Sequence, residues 1–245
     1  MPETFDDFLQ RSEILFGETA LEKLKNARIL LAGAGGVGGY AAEALARGGT
    51  GHLTVYDPDC VHPTNLNRQI LALHSNNGRQ KTAVLAERIY DINPGIDLQV
   101  HPERLSRENI GAVLEQGNFD YIADAIDSLD DKCFLLVSAL KKQIPVISAM
   151  GAGCRFDPTR IQYSDISRTY GCKLAKSIRS KLKKEYNITK GIMCVFSPEV
   201  NPGTIQPAED GERPLIGSNS FIPGIFGLFM AAKVINDIAS RNVNF

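Results

Sequence analysis

Arg28-Ile-Leu-Leu-Ala32, Gly33-Ala-Gly-Gly-Val-Gly38, a helical stretch over 39–48, and His52-Leu-Thr-Val-Tyr56 closed by Asp57 decide the fold. The first run is apolar and short enough for one buried strand. Strand, glycine turn, helix, strand and acid follow in order, with Asp57 24 residues after Gly33. That is the spacing of a dinucleotide or mononucleotide fold. Gly33 and Gly35 let the backbone turn tightly and approach a phosphate, Gly36 continues the turn, and Gly38 lets the helix pack close to the strand. The helix N-terminus offers N–H groups and the positive end of its dipole to that phosphate. Asp57, at the carboxyl end of the second strand, is placed to accept hydrogen bonds from ribose hydroxyls. A tight turn without a ligand would leave Asp57 with no role.

Outward from this unit the pattern keeps alternating. Residues 58–69, Pro-Asp-Cys-Val-His-Pro-Thr-Asn-Leu-Asn-Arg-Gln, form a loop at the carboxyl edge of the sheet, where such folds bind ligands. Arg68 therefore stands beside the nucleotide. Residues 79–92 read as a helix with Lys81 in its first turn, opposed to the dipole, as expected of a lysine that serves a phosphate. Residues 97–101 read as a strand, and 106–116 as a helix with Ser106 as N-cap. Residues 121–126 form a strand that runs into Asp124-Ala-Ile-Asp127. Asp127 falls at the same edge as Asp57 and Arg68, and a carboxylate there suits Mg²⁺, which takes one or two carboxylates plus phosphate oxygens. A helix over 130–142 and a strand over 144–149 complete a βαβαβαβαβ order. It implies an α/β fold with a doubly wound, mostly parallel, Rossmann-like sheet over 28–150. From Gly151 the pattern changes to an antiparallel C-terminal extension, with strands over 160–164 and 192–196.

Between those two strands lies a basic helical insert. Arg168, Lys173, Lys176, Arg179, Lys181, Lys183, Lys184 and Lys190 face one acid, Glu185, in a chain of net charge −1. Leu174, Ile178 and Leu182 repeat every four residues, so one apolar stripe is expected to leave a basic outer face. The near-neutral whole excludes a general polyanion binder, and the local excess points to an RNA or DNA backbone contact. Tyr170 and Tyr186 are available to stack on unpaired bases.

The bulk composition is that of a soluble globular chain: 245 residues, 43% hydrophobic and 22% charged. The five cysteines, Cys60, Cys133, Cys154, Cys172 and Cys194, form no Cys-x-x-Cys pair, which argues against a zinc ribbon and for a reducing compartment. The acidic first ten residues lack an apolar core, so a cytoplasmic location is expected. The apolar stretch over 221–232 is too short to span a bilayer. Two N-terminal helices separated at Gly17 are expected over 3–26, a mobile loop or lid over 203–220, and a last apolar helix over 222–239 that packs as core or at a subunit interface.

Arg11, the glycine turn at 33–38, Asp57, Asn-Leu-Asn-Arg68-Gln, Gly78-Arg-Gln-Lys81 and Asp124-x-x-Asp127 stand in the order and spacing of ubiquitin-activating-type (ThiF-type) adenylating enzymes. The chain resembles that family over nearly its whole length. The resemblance implies a single adenylation domain over 1–245: N-terminal helices at 1–27, a nucleotide-binding core at 28–150, and a part for substrate, tRNA and dimerisation at 151–245. It implies that ATP and Mg²⁺ bind and that AMP is moved onto a carboxylate. Gly33, Gly35, Gly36, Gly38, Asp57, Asp59, Asn65, Arg68 and Lys81 would hold the nucleotide, and Asp127 the Mg²⁺. Arg68 and Lys81 would neutralise the departing pyrophosphate, and Arg11 would reach into the neighbouring site of a homodimer.

Sulfur-carrier activators of this family carry two Cys-x-x-Cys pairs for zinc, which this chain lacks, so no zinc is expected. The basic insert and Cys194-Val-Phe-Ser-Pro-Glu199 instead resemble the tRNA threonylcarbamoyladenosine dehydratase branch. That resemblance implies ATP-dependent ring closure of threonylcarbamoyladenosine beside the anticodon, tRNA contact through Arg168, Lys173, Lys176, Arg179, Lys181, Lys183 and Lys184, and a monovalent cation (Na⁺ or K⁺) near the site. The alternative is an activator of a ubiquitin-like sulfur-carrier protein. A cysteine desulfurase or sulfur acceptor would then be a partner, with Cys154, Cys172 or Cys194 as carrier. Ring closure within the substrate needs no enzyme nucleophile, so all five cysteines are read as structural. A nicotinamide oxidoreductase leaves Arg68, Lys81, Asp127 and the insert without roles. A non-catalytic nucleotide-sensing RNA-binding protein would form no product.

Overall fold

The computed structural model describes residues 8–201, 205–206 and 215–239. Helices α1 (Gln10–Phe16) and α2 (Glu18–Asn26) meet at Gly17, the expected break. Residues 3–7 of the expected first helix lie outside the described residues. Then follow β1 (Arg28–Ala32), α3 (Gly38–Arg47), β2 (His52–Tyr56), α4 (Lys81–Ile92), β3 (Asp97–His101), α5 (Ile110–Gln116), β4 (Tyr121–Asp124), α6 (Leu129–Lys141) and β5 (Val146–Ala149). After these come β6 (Gln162–Asp165), α7 (Lys173–Tyr186), β7 (Met193–Phe196), β8 (Ile205–Gln206), β9 (Leu215–Ile216) and α8 (Ile222–Ile238).

Seven strands form one sheet in the order β3-β2-β1-β4-β5-β7-β6, parallel except for the β6–β7 pair. The doubly wound core and its antiparallel extension are both as expected. Ala32 pairs with Tyr56 on one side and Asp124 on the other, so the residues after β1, β2 and β4 emerge side by side. From β1 the chain continues to β2 on one side, and from the adjacent β4 it continues to β5 on the other, which makes this edge the topological switch point. Strand alternation decides the two cores. Ile29 and Leu31 pack beneath α3, α4 and α8, whereas Leu30 and Ala32 pack beneath α5, α6 and α7. Helix α8 is apolar on several faces because it is covered by α3 and approached by α2 and the sheet.

One local expectation is inverted. Ser106 does not cap a helix: α5 begins at Ile110, and the Asn109 side chain accepts the Ser106 N–H at 2.8 Å. The loop over 203–220 contains a short antiparallel pairing of Ile205 with Ile216. Positions 203–204 and 207–214 of the expected lid lie outside the described residues.

Candidate active site

A cleft of about 630 Å³ opens at the switch point. Its floor is the glycine turn. Gly33 has φ +93°, and a Cβ there would lie 2.9 Å from the Ala125 carbonyl oxygen. At Gly38 a Cβ would lie 1.8 Å from the Gly33 carbonyl oxygen, so α3 reaches the strand only because this residue has no side chain. Gly33, Gly35 and Gly36 line the cleft, and Gly38 lies behind it as the packing contact.

Asp57 is 5% exposed and holds the turn from the end of β2. Its Oδ2 accepts the Ala34 N–H at 2.7 Å, and its Oδ1 accepts the Asp59 N–H at 2.9 Å. Burial pushes its carboxyl pKa up, against the nearby Lys81 charge and these two donors. Lys81, the first residue of α4 and 4% exposed, places Nζ 2.7 Å from Asp59 Oδ2 and 3.8 Å from Asp57 Oδ1. The conflict with the helix dipole is thus relieved by two carboxylates at the cleft edge. Arg68 lines the cleft and donates through Nη1 to the Thr64 carbonyl and Asn67 Oδ1, both at 2.8 Å.

Asp127 and Ser128 line the opposite lip, and the Asp127 carboxylate is exposed. Among the described residues no group of three or more His, Cys, Asp or Glu forms a metal cage. One free-standing carboxylate beside a phosphate-sized turn fits a Mg²⁺ that keeps phosphate and water oxygens as its remaining ligands.

Asn65 and Arg11 do not line this cleft. The Asn65 side chain caps the turn over residues 63–65 by accepting the His62 N–H at 3.1 Å. Arg11 is exposed on α1, a helix with no buried residue, on which Ile14 is 85% exposed. The homodimer reading asks for an open N-terminal face of this kind.

The structure adds residues the spacing did not reveal. Arg104 lines the cleft and donates from Nε and Nη2 to Asp131 Oδ2 at 2.8 and 2.6 Å. Lys132 and Asp124, both wholly buried, pair at 2.8 Å beneath the loop that carries Asp127. A lysine next to the apolar run Cys133-Phe-Leu-Leu was a legible signal for Lys132; nothing local marked Arg104.

Helix α7 buries Ala175, Ile178 and Leu182. Leu174, expected in that stripe, packs at the edge of the same core and also lines the cleft wall. Arg168, Lys173, Lys176, Lys183 and Lys184 are exposed. Arg179 donates to Thr169 Oγ1, and Lys181 pairs with Asp130 at 2.8 Å and Glu185 at 2.9 Å, so these two cations also serve local contacts. Lys176, Arg179 and Lys183 line a second groove of about 320 Å³ together with Ser167, Ser180 and Thr189. At 1.5 Å per residue, Lys183 lies about 14 Å along the helix from Leu174. Exposed Tyr170 stands at the same end as Leu174, while Tyr186 packs on the core.

Cys172 and Cys194 are buried, and burial pushes the Cys194 thiol pKa up. Cys133 is likewise pushed up to about 11. Thiols shifted up in this way, those of Cys133 and Cys194, stay protonated and unreactive. The Glu199 carboxylate accepts the N–H groups of Phe156 and Asp157 and the Asn201 amide, and so pins the segment that follows β5.

Residues 9–244 match the ThiF family. A Bacillus subtilis (strain 168) protein, tRNA threonylcarbamoyladenosine dehydratase, is 39% identical over 242 residues, covering 93% of this chain and 93% of that protein. The crystal structure of Escherichia coli tRNA N6-threonylcarbamoyladenosine dehydratase in complex with ATP matches with a TM-score of 0.88 at 35% identity, covering 96% of this chain and 95% of that one. Adenylyltransferase and sulfurtransferase UBA4 of Saccharomyces cerevisiae (strain YJM789) is 34% identical over 150 residues, covering 61% of this chain and 34% of that protein.

Proposed function

The chain belongs to the ThiF family, and from that premise we propose that it is an ATP-dependent dehydratase of threonylcarbamoyladenosine in tRNA. The single observation that carries the reading is continuity: one helix, α7, lends Leu174 to the nucleotide cleft and Lys176, Arg179 and Lys183 to a groove suited to phosphate. Relatives named for this reaction align over nearly the whole chain, whereas the sulfurtransferase relative aligns over 61% of it.

In this reading the glycine turn and the α3 N-terminus hold the triphosphate, with Asp57 at the ribose. The substrate carboxylate oxygen attacks the α-phosphorus, and the bond from that phosphorus to the bridging oxygen breaks as pyrophosphate leaves. Arg68 and Lys81 offset the charge that develops on the departing phosphates. Lys81 can turn from Asp59 to phosphate without leaving Asp57 uncompensated, because the N–H groups of Ala34 and Asp59 still serve that carboxylate. Mg²⁺ bound at Asp127 supplies charge neutralisation at the phosphates. A nitrogen of the substrate then attacks the activated carbonyl carbon and expels AMP. The nucleoside has lost one water, and no enzyme nucleophile is used, in keeping with the buried thiols of Cys133, Cys172 and Cys194; Cys60 is exposed and Cys154 half-buried. We place the enzyme in the cytoplasm as a homodimer whose N-terminal part supplies Arg11 across the interface and whose 151–245 part meets the tRNA.

The decisive experiment incubates the protein with ATP, Mg²⁺ and tRNA bearing threonylcarbamoyladenosine, digests the RNA mildly and weighs the nucleosides. The expected result is an ATP-dependent loss of one water; no loss while ATP is still bound would favour the carrier-protein reading. A second expectation concerns the groove. Lys176→Gln with Lys183→Gln should weaken binding of an anticodon stem-loop RNA about tenfold and lower the slope of log affinity against log salt by about 1.4 to 1.8. The ATP affinity should stay within about twofold of wild type. An unchanged slope would return these lysines to an ordinary solvated face.

A further inference from the structure

Beneath the Asp127 loop lies a charged pair that neither ATP binding nor RNA binding uses. Lys132 and Asp124 are both 0% exposed. Lys132 Nζ lies 2.8 Å from Asp124 Oδ2 and donates to the Ile126 carbonyl at 3.0 Å. Asp124 Oδ1 accepts the Ile126 N–H at 3.1 Å, and Ser148 Oγ on β5 donates to Asp124 Oδ2 at 2.6 Å. The peptide groups on both sides of Ile126 are therefore held from below, and the next residue is Asp127.

Stability alone does not explain this arrangement. Burying a lysine and an aspartate forfeits their hydration, and well-packed apolar residues of similar volume commonly serve a fold as well or better. What an apolar pair cannot do is hold both a backbone donor and a backbone acceptor. Ile126 lines the cleft; unclamped, its peptide groups would be satisfied by water and the loop would sample other conformations. A carboxylate that must meet a nucleotide-borne cation within a few tenths of an ångström needs such support from behind.

We propose that Lys132, Asp124 and Ser148 form a positioning unit that orients the Asp127 carboxylate toward the cation carried by the nucleotide. The proposal rests on the adenylating reading of Asp127. Lys132 acts through the Ile126 carbonyl and Asp124 through the Ile126 N–H; neither touches substrate.

The test separates positioning from stability. Lys132→Met alone should fold poorly, because it strands a buried carboxylate. The combination Asp124→Leu/Lys132→Met/Ser148→Ala removes every member of the polar set and should recover a melting temperature close to wild type. It should still raise the Mg²⁺ concentration needed for half-maximal ATP binding, measured by calorimetry, about tenfold, and lower kcat by a similar factor or more. Ser148→Ala removes only one donor, leaves the fold intact, and should raise that Mg²⁺ midpoint about threefold while the melting temperature falls by only about 5 °C. Recovery of the wild-type midpoint in the triple variant, or a wild-type midpoint in Ser148→Ala, overturns the proposal. Wild-type protein whose ATP binding is indifferent to Mg²⁺ would overturn the Asp127 assignment itself and the proposal with it, and is told apart because it needs no variant.

Discussion

Asp127→Asn is expected to fold as wild type does, to retain RNA binding, and to turn over about a thousandfold more slowly, the scale seen when one preorganised electrostatic group is removed from a transition state. The fold should survive because Asp127 is exposed on a loop whose backbone is held by other residues, Lys132 and Asp124 among them. Surface changes of this kind ordinarily shift stability by about 0.5 kcal/mol or less. The amide keeps the shape and loses the charge, and a neutral oxygen is a far poorer ligand for a hard dication than a carboxylate. Single-turnover formation of the dehydrated nucleoside, read beside a thermal melt, measures both parts. Turnover within threefold of wild type would remove Asp127 from the metal site.

The second large effect is a gain. Arg11→Ala and Asp127→Asn chains, each inactive alone, should together regain about a quarter of wild-type turnover when mixed in equal amounts and allowed to exchange. Random pairing makes about half of the dimers mixed, and each mixed dimer holds one complete site if Arg11 crosses the twofold axis. Within one chain Arg11 does not line the cleft; its helix carries exposed Ile14 and Leu15, and exposed Phe8 lies in the turn just before it. An apolar face left on a short, unburied helix is what a second copy of the chain would cover. If proven mixed dimers stay inactive, Arg11 does not act across the interface.

Much of the fold follows from local patterning. The run over 28–32 reads as a buried strand because every residue after Arg28 is apolar, and the alternation of its neighbours between two cores follows from the two-residue period of a strand. Glycine without a side chain at position 38 and a positive φ at position 33 are demands of the turn itself, so they are written in the residues. Asp57, Arg68, Lys81 and Asp127 are legible too, because in a parallel sheet the loops that follow β2 and β4, and the start of the helix after the β2 loop, lie at one edge. Caps were less legible: Asn109, not Ser106, closes the turn before α5, since either side chain can reach the other's backbone over three residues.

The basic insert shows the limit of spacing more sharply. Its eight cations look equivalent in the sequence, yet Lys181 is tied to Asp130 and Arg179 to Thr169, while Lys176 and Lys183 face a groove. Leu174 packs on the core as its place in the apolar repeat requires, yet it also lines the cleft, because the first turn of α7 lies against the segment after β5.

The sequence by itself determined the strand–glycine–helix–strand–acid unit, the parallel order that follows from it, and the place of Asp57, Arg68, Lys81 and Asp127 among the charged residues at the sheet edge. These are matters of period, of backbone conformation and of distance along the chain. The tertiary structure alone decided which carboxylate faces Lys81, that Ser148 on β5 and Lys132 on α6 meet Asp124 under Ile126, and that Arg104 enters the cleft. Those contacts join residues from different elements, and a buried charge declares its purpose only when the groups that share its burial are in place.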